Sequence, residues 1–197
     1  MQKWNFEKLI LKGAYLITPF YNADNRGGFL KDYSYKVLKE NGIKHNLKEV
    51  FYTISHKGVI RAIHFQRVKQ QAKLVRCVKG KVYDVIVDLR KGSPTFKQWF
   101  GTILSEDNMM ELYVPAGFGH GYLVLEESIV SYKCDENFYG EFDGGIKFDD
   151  VDLAIDWPYE LIGGQENLIL SEKDLNLVSF KEFLDNYGNF LGDDYEY

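Results

Sequence analysis

Short runs in which apolar residues alternate with others fill the middle of the chain: Val50 to Ser55, Val59 to Gln66, Lys73 to Lys79, Val82 to Leu89, Trp99 to Leu104, Met110 to Val114, Gly121 to Leu125 and Ser128 to Cys134. Turns containing Gly, Pro, Ser, Asp or Asn divide them, as expected of half-buried strands. Eight such strands predict a mainly β fold, a sandwich or barrel of the jelly-roll kind. Upstream, a strand near Gly13 to Phe20 leads into a turn at ADNRGG, and Tyr33 to Asn41 has helical spacing with Gly42 placed as a left-handed cap. Downstream, DDVDLAIDWPYELIGGQENLILSEKD reads as irregular connection. A C-terminal helix then starts in SFKEFLDNYGNF, where Ser179 and Glu182 have capping-box spacing. No βαβ crossover appears, which excludes the doubly wound nucleotide-binding folds.

Composition narrows the picture. A chain of 197 residues with 45% hydrophobic content fills a real core and reads as one domain over residues 1–197, with a short acidic, mobile tail near 192–197. The 16% aromatic share favours sheets. A net charge of −5 and a pI near 5.4 argue against a nucleic-acid partner, which demands a basic surface. The start, MQKWNFEKLILKGAYL, is neither a secretory signal nor long enough to span a bilayer, so a cytoplasmic protein without a membrane partner is expected. Cys77 and Cys134 fall inside strand-like runs and read as buried thiols. With His45, His56, His64 and His120 as the only histidines and no HxH pair, no metal site is expected.

Several strands carry polar residues that a plain core does not need. Alternation sets Lys73 with Val75 and Cys77, sets Asp84 with Val82, Ile86 and Asp88 beyond a turn at Gly80, and sets Tyr132 with Val130 and Cys134. Lys73 is either a lysine snorkelling to the sheet rim or a site residue, and Tyr132 is either a buried hydroxyl with a partner or a site residue. His120 lies in VPAGFGHGYLVL, a Gly-rich turn that lacks the lysine and helix of a phosphate-binding loop. In GVIRAIHFQ, His64 alternates with Ile60, Ala62 and Gln66, whereas Arg61 goes with Val59, Ile63 and Phe65. A regular strand cannot aim both at one pocket. Either a bulge re-aims one of them or Arg61 serves another surface such as a subunit interface.

GVIRAIHFQ, QAKLVRCVKGKVYDVIVDLRKGSPTF, VPAGFGHGYLVL, SYKC and LSEKD, in this order, resemble the dTDP-4-dehydrorhamnose 3,5-epimerase family of cupin-like jelly-roll enzymes. The resemblance implies a cofactor-independent isomerase acting on a nucleotide-diphosphate 4-keto-6-deoxy sugar in surface polysaccharide synthesis. It implies His64 as base with Asp174 as its carboxylate partner, Lys73 at the enolate oxygen and Tyr132 as the acid on the opposite face. Asp174 also has a local reading, as a turn or cap with Ser171. By the same resemblance Arg26, Phe29, Glu49, Arg61, Gln66 and His120 bind substrate, and N-terminal strands are exchanged within a homodimer, carrying Arg26 towards the neighbour's site.

The chain departs from the family pattern where the nucleotide binds. Glu49 stands for Gln, Phe51 for Asn, Lys31 for Glu, Ala62 for Gly, and Phe138, or Tyr139 with a one-residue slip, for a second tyrosine. Exchanging an amide for a carboxylate alters which hydrogen bonds a site can make, so Glu49 points away from dTDP to a GDP-linked 4-keto heptose or hexose, with CDP as the other nucleotide left open. The missing tyrosine leaves inversion at one carbon or at both open. A sugar-nucleotide ketoisomerase and a non-catalytic cupin sugar-binding module are the competing readings.

Overall fold

The computed structural model describes residues 1–187, so the acidic tail lies outside the described residues. The pattern read as eight short strands folds into fewer, longer ones. Lys73 to Lys79 and Val82 to Leu89 are halves of one strand, β7 (Lys73–Asp88), and Gly121 to Leu125 and Ser128 to Cys134 are halves of another, β10 (Phe118–Cys134). Gly80, expected to turn a hairpin, instead sits within the strand at φ +74°, and the ladder resumes on both sides of it, with Lys79 opposite Ile129 and Lys81 opposite Glu126. The ladder is irregular around that left-handed residue, two steps along β7 matching three along β10. Apolar positions facing the interior are odd-numbered before Gly80 (Val75, Cys77) and even-numbered after it (Val82, Ile86). His120, expected in a turn, lies within β10, because the turn closes at Gly117 with φ +83°.

β7 and β10 pair with each other and run through two sheets. The first places β1 (Asn5–Lys8), β2 (Tyr15–Thr18), β9 (Glu111–Val114), the start of β7, the end of β10 and β5 (Glu49–Ser55) side by side. The second places β8 (Trp99–Ser105), the end of β7, the start of β10, β6 (Ile60–Gln66) and β11 (Asp143–Gly145) side by side. Two antiparallel sheets sharing bent strands are the predicted jelly roll.

Three apolar layers follow. Val75, Val82, Ile86, Tyr122 and Val130 fill the space between the sheets. Ile63, Val85, Val87 and Leu123 on the outside of the second sheet are covered by Leu153, Trp157, Phe180 and Phe183 from the C-terminal segment. Ile17, Leu74 and Tyr113 on the outside of the first sheet are covered by Leu38 and Ile43. Leu38 belongs to α1 (Tyr35–Glu40), and Gly42 follows it at φ +84° as the expected cap. α2 (Glu172–Leu175) and α3 (Phe180–Tyr187) lie in the C-terminal segment. The capping box before α3 is formed: the Ser179 backbone N–H donates to Glu182 at 2.7 Å and the Glu182 N–H to Ser179 Oγ at 3.2 Å.

The strand expected from Gly13 to Phe20 is interrupted at Pro19, which cannot donate to a ladder. Beyond it, β3 (Phe20–Asp24) and β4 (Gly27–Lys31) form a separate hairpin that pairs with no other named strand and touches the rest of the chain through a Gln2–Tyr21 bridge. Both cysteines are free and buried. Among the described residues no helix is long and apolar enough to cross a membrane.

Gly80→Ala tests the bulge. A Cβ there meets the carbonyl oxygen of Glu127, and the φ disfavours any side chain. A loss of roughly 2–4 kcal/mol is expected in denaturant titration, more than helix or strand propensity alone gives.

Candidate functional site

The cavity opens between the two sheets and has a volume of about 260 Å³. A second bulge resolves the conflict in GVIRAIHFQ. Opposite β10, Arg61 pairs with Tyr122 and His64 with His120, so three steps along β6 match two along its neighbour. The extra residue puts Ala62 and Ile63 both into the outer apolar layer, and Arg61 and His64 both line the cavity. Gly121 permits this approach: a Cβ on it lies 2.6 Å from the Arg61 carbonyl oxygen and 2.7 Å from Ala62. The sequence did carry the signal, since Ile60, Ala62, Ile63 and Phe65 break strict alternation at the doubled pair.

His64 comes from the second sheet, and its Nε2 lies 2.7 Å from Asp174 Oδ1. Asp174, buried in α2, also accepts from Ser171 Oγ at 2.5 Å, while its own backbone N–H donates to Ser171 Oγ at 3.1 Å. The local capping reading and the dyad are therefore both formed. Burial raises the Asp174 pKa, but the hydrogen bonds from His64 and Ser171 outweigh it and hold the carboxyl below its ordinary value. An ionised Asp174 fixes the tautomer with the proton on Nε2. Nδ1 is then the basic nitrogen, and it has no hydrogen-bond partner among the described residues.

Lys73 and Tyr132 enter the cavity from the first sheet. The Lys73 side chain makes no hydrogen bond or ion pair among the described residues, and burial lowers its pKa against the opposing influence of Cys134, Asp143 and Asp84. Tyr132 is stacked on Phe51, its cross-strand neighbour, with ring centres 4.7 Å apart. Its phenol is held well above its ordinary pKa, by burial first and then by Tyr122 and Asp84, so it stays protonated. His120 lies edge-on to Tyr132 at 5.6 Å and bonds Asp84 through Nε2 at 2.9 Å. Asp84 is fully buried, and burial pushes its pKa up against the pull of His120 and Lys73.

Arg61, Gln66 and His120 thus join His64, Lys73, Tyr132 and Asp174 in one cavity. Arg61 Nε donates to Ser55 Oγ at 3.1 Å. The Gln66 amide is largely engaged by the protein: it donates to the carbonyls of Lys69 at 2.7 Å and Asn137 at 3.2 Å and accepts from the Tyr139 N–H at 2.6 Å. It therefore holds the loop that brings Phe138, rather than Tyr139, to the cavity wall. Arg26 and Phe29 are not brought in. They sit on the exposed hairpin, where Arg26 bridges Asp24 at 2.7 Å. Sequence reasoning assigned no role to Asp84, Asp143 or Lys173. Asp84 had a signal, a carboxylate alternating with Val82 and Ile86, because a buried charge requires a partner. Lys173 is ion-paired with Asp143 beside the cavity, a contact between distant segments with no local pattern.

The sequence profile of the dTDP-4-dehydrorhamnose 3,5-epimerase family matches residues 8–182. The chain belongs to this family. A dTDP-4-dehydrorhamnose 3,5-epimerase of Methanothermobacter thermautotrophicus is 43% identical over 183 residues, covering 92% of this chain and 97% of that protein. The crystal structure of the epimerase from Elizabethkingia anophelis superposes with a TM-score of 0.84 at 41% identity, covering 91% of this chain and 97% of that one. That of the Legionella pneumophila epimerase in complex with dTDP-4-keto-L-rhamnose superposes with a TM-score of 0.85 at 36% identity, covering 91% and 94%. The protein is an isomerase-class sugar-nucleotide epimerase with the family's cupin-like jelly roll.

These relatives correct the expectation of GDP, since their names and ligand point to dTDP. The reason is local. Glu49 does not line the cavity; its carboxylate accepts the Phe138 backbone N–H at 2.6 Å, so the feature taken to recognise guanine holds the chain instead.

The dyad gives a pH prediction. With its folded pKa below the ordinary 3.8, Asp174 contributes stability that is present above that value and is lost as pH falls through the folded value. Asp174→Asn is therefore expected to destabilise the protein at pH 7 and to cost progressively less below about pH 3.8. Denaturant titrations of both proteins across that range measure the difference.

Proposed function

We propose that this epimerase acts on a dTDP-linked 4-keto-6-deoxy sugar and inverts carbons beside the ketone by proton abstraction and return. The observation that carries the proposal is that His64, paired with Asp174, comes from one sheet and Lys73 and Tyr132 from the other, and all line one cavity, with the Tyr132 phenol held protonated.

In this reading the His64 imidazole takes the proton from a carbon next to the ketone. The C–H electron pair becomes the enolate C=C bond, and the carbonyl π pair moves to oxygen. The ammonium of Lys73 holds that oxyanion, an interaction strongest in the enolate-like transition state. Asp174 stabilises the imidazolium, as a buried carboxylate does in other dyads. Tyr132 gives a proton to the opposite face of the carbon, and the ketone re-forms. His120, held by Asp84, hydrogen-bonds the sugar, and Arg61 grips the diphosphate with a planar fork suited to phosphate oxygens.

Arg26 and Phe29 act in this scheme on a neighbouring copy, in a homodimer that exchanges the β3–β4 hairpin. Two features support this. The hairpin leaves Phe29 exposed, and β5, at the edge of the first sheet, shows an outward row of Val50, Tyr52 and Ile54. An edge strand with an uncovered apolar row is a surface that a partner normally fills.

The deciding experiment is proton NMR in deuterated water with 4-keto-6-deoxy sugars linked to dTDP and to GDP. Solvent deuterium is expected at carbons beside the ketone of the dTDP sugar, at both for full 3,5-inversion and at one for a monofunctional enzyme. Folded protein that exchanges neither position overturns the enolate mechanism and favours a ketoisomerase or a binding module. His64→Asn is expected to slow turnover by about two to four powers of ten while leaving the fold intact, the range for a lost general base.

A further inference from the structure

The outer face of the first sheet carries a buried charge cluster that the chemistry does not use. Lys133 follows Tyr132 in β10 and points the other way. Its Nζ lies 2.6 Å from Glu111 Oε1 on β9 and 3.0 Å from Asp32 Oδ2. Arg76 on β7, the register partner of Glu111, places Nη1 3.6 Å from the same Asp32 oxygen. Glu111 is fully buried and Lys133 nearly so. Two cations thus face two carboxylates, with Glu111 and Lys133 out of water and Arg76 and Asp32 partly exposed at the rim, an arrangement that depends on close pairing. The Glu111 carboxyl reflects this setting: burial lifts it to about 7 against the pull of Lys133. Glu111 Oε2 and Arg76 Nε remain buried without partners, so the cluster relies on the contacts it does make.

Asp32 is the residue that gives the cluster a purpose beyond stability. It directly follows β4 and is where the β3–β4 hairpin rejoins the body of the protein. The hairpin pairs with no other named strand, and a lone two-stranded ribbon is marginal in water. Its direction must therefore be set at its two roots. The entry root is held by the Gln2–Tyr21 bridge and by Gln2 Nε2 donating to the Pro19 carbonyl at 3.1 Å. The exit root is held by Asp32.

We propose that Asp32, Arg76, Glu111 and Lys133 are positioning residues: a buried clamp that fixes the exit of the β3–β4 hairpin and so sets how firmly Arg26 and Phe29 are presented to a neighbouring copy's cavity. This rests on the reading above that the hairpin serves a neighbour. Lys133 is the centre of the clamp, and Asp32 is its handle.

The test compares the intact protein with Asp32→Ala, Asp32→Glu and Arg26→Ala, using amide hydrogen exchange over residues 20–31 and kinetics on the dTDP-4-keto-6-deoxy sugar. Asp32→Ala is expected to speed exchange in the hairpin while sparing β7 and β10. It is expected to raise KM about tenfold with kcat within about twofold, the signature of lost binding without lost chemistry. Asp32→Glu is expected to restore most of both. Combined with Arg26→Ala, Asp32→Ala should add little, since both remove one contact. Unchanged hairpin exchange in Asp32→Ala overturns the clamp, as does a KM effect that multiplies fully with that of Arg26→Ala. Faster exchange with KM unmoved in both single variants upholds the clamp as a tether and instead sinks the placement of the hairpin in a neighbour's cavity.

Discussion

Alternation along a β-strand is a rigid constraint: residues one apart face opposite sides, and a polar site lodged between two sheets can draw only on every second residue. This cavity needs more than that rule supplies. Lys73 and Asp84 lie an odd number of positions apart on one strand, as do Arg61 and His64 on another, yet all four face the same space. The irregularity at Gly80 and the extra residue near Ala62 change the parity, and the set of residues around the cavity depends on these two more than on any single contact. The glycines beside them show how each is tolerated. Gly80 accepts the left-handed φ, and Gly121 lets the bulged backbone of β6 come close.

The same strands connect the layers. Because β7 and β10 pass through both sheets, the interior apolar layer is continuous from Val75 to Ile86, and Tyr132 and His120 on β10 sit on facing walls while sharing one backbone. A jelly roll built this way places His64 and His120 from the second sheet and Tyr132 from the first around one cavity.

Much of this was legible in the chain. Alternation gave the class of fold, Gly42 and the Ser179–Glu182 box gave two helix ends, and the ordered motifs gave the family and the residues now found around the cavity. What failed has a common physical cause. Gly80 and the Glu126 region read as hairpin turns because a glycine or a charged pair between two strand-like runs looks the same locally whether the chain reverses or bulges; the partner strand decides. Asp174 was reachable only through resemblance, since its contact with His64 joins residues 110 apart. Glu49 misled for the opposite reason: its carboxylate chemistry was read correctly, but its partner is a backbone N–H of its own chain.

The loop that closes the cavity near Phe138 is anchored in an unusual way. Gln66 and Glu49 grip main-chain atoms at positions 137, 138 and 139, and the apolar ring of Phe138 takes no part in that anchoring. The backbone course is thereby decoupled from the identity of the side chain it displays. A lineage can exchange the aromatic ring at that position for a hydroxylated one, or the reverse, without relearning how to fold the loop. Position 138 is an interchangeable fitting on a fixed mount, a part of the cavity wall that single substitutions can reshape while the backbone around it stays in place.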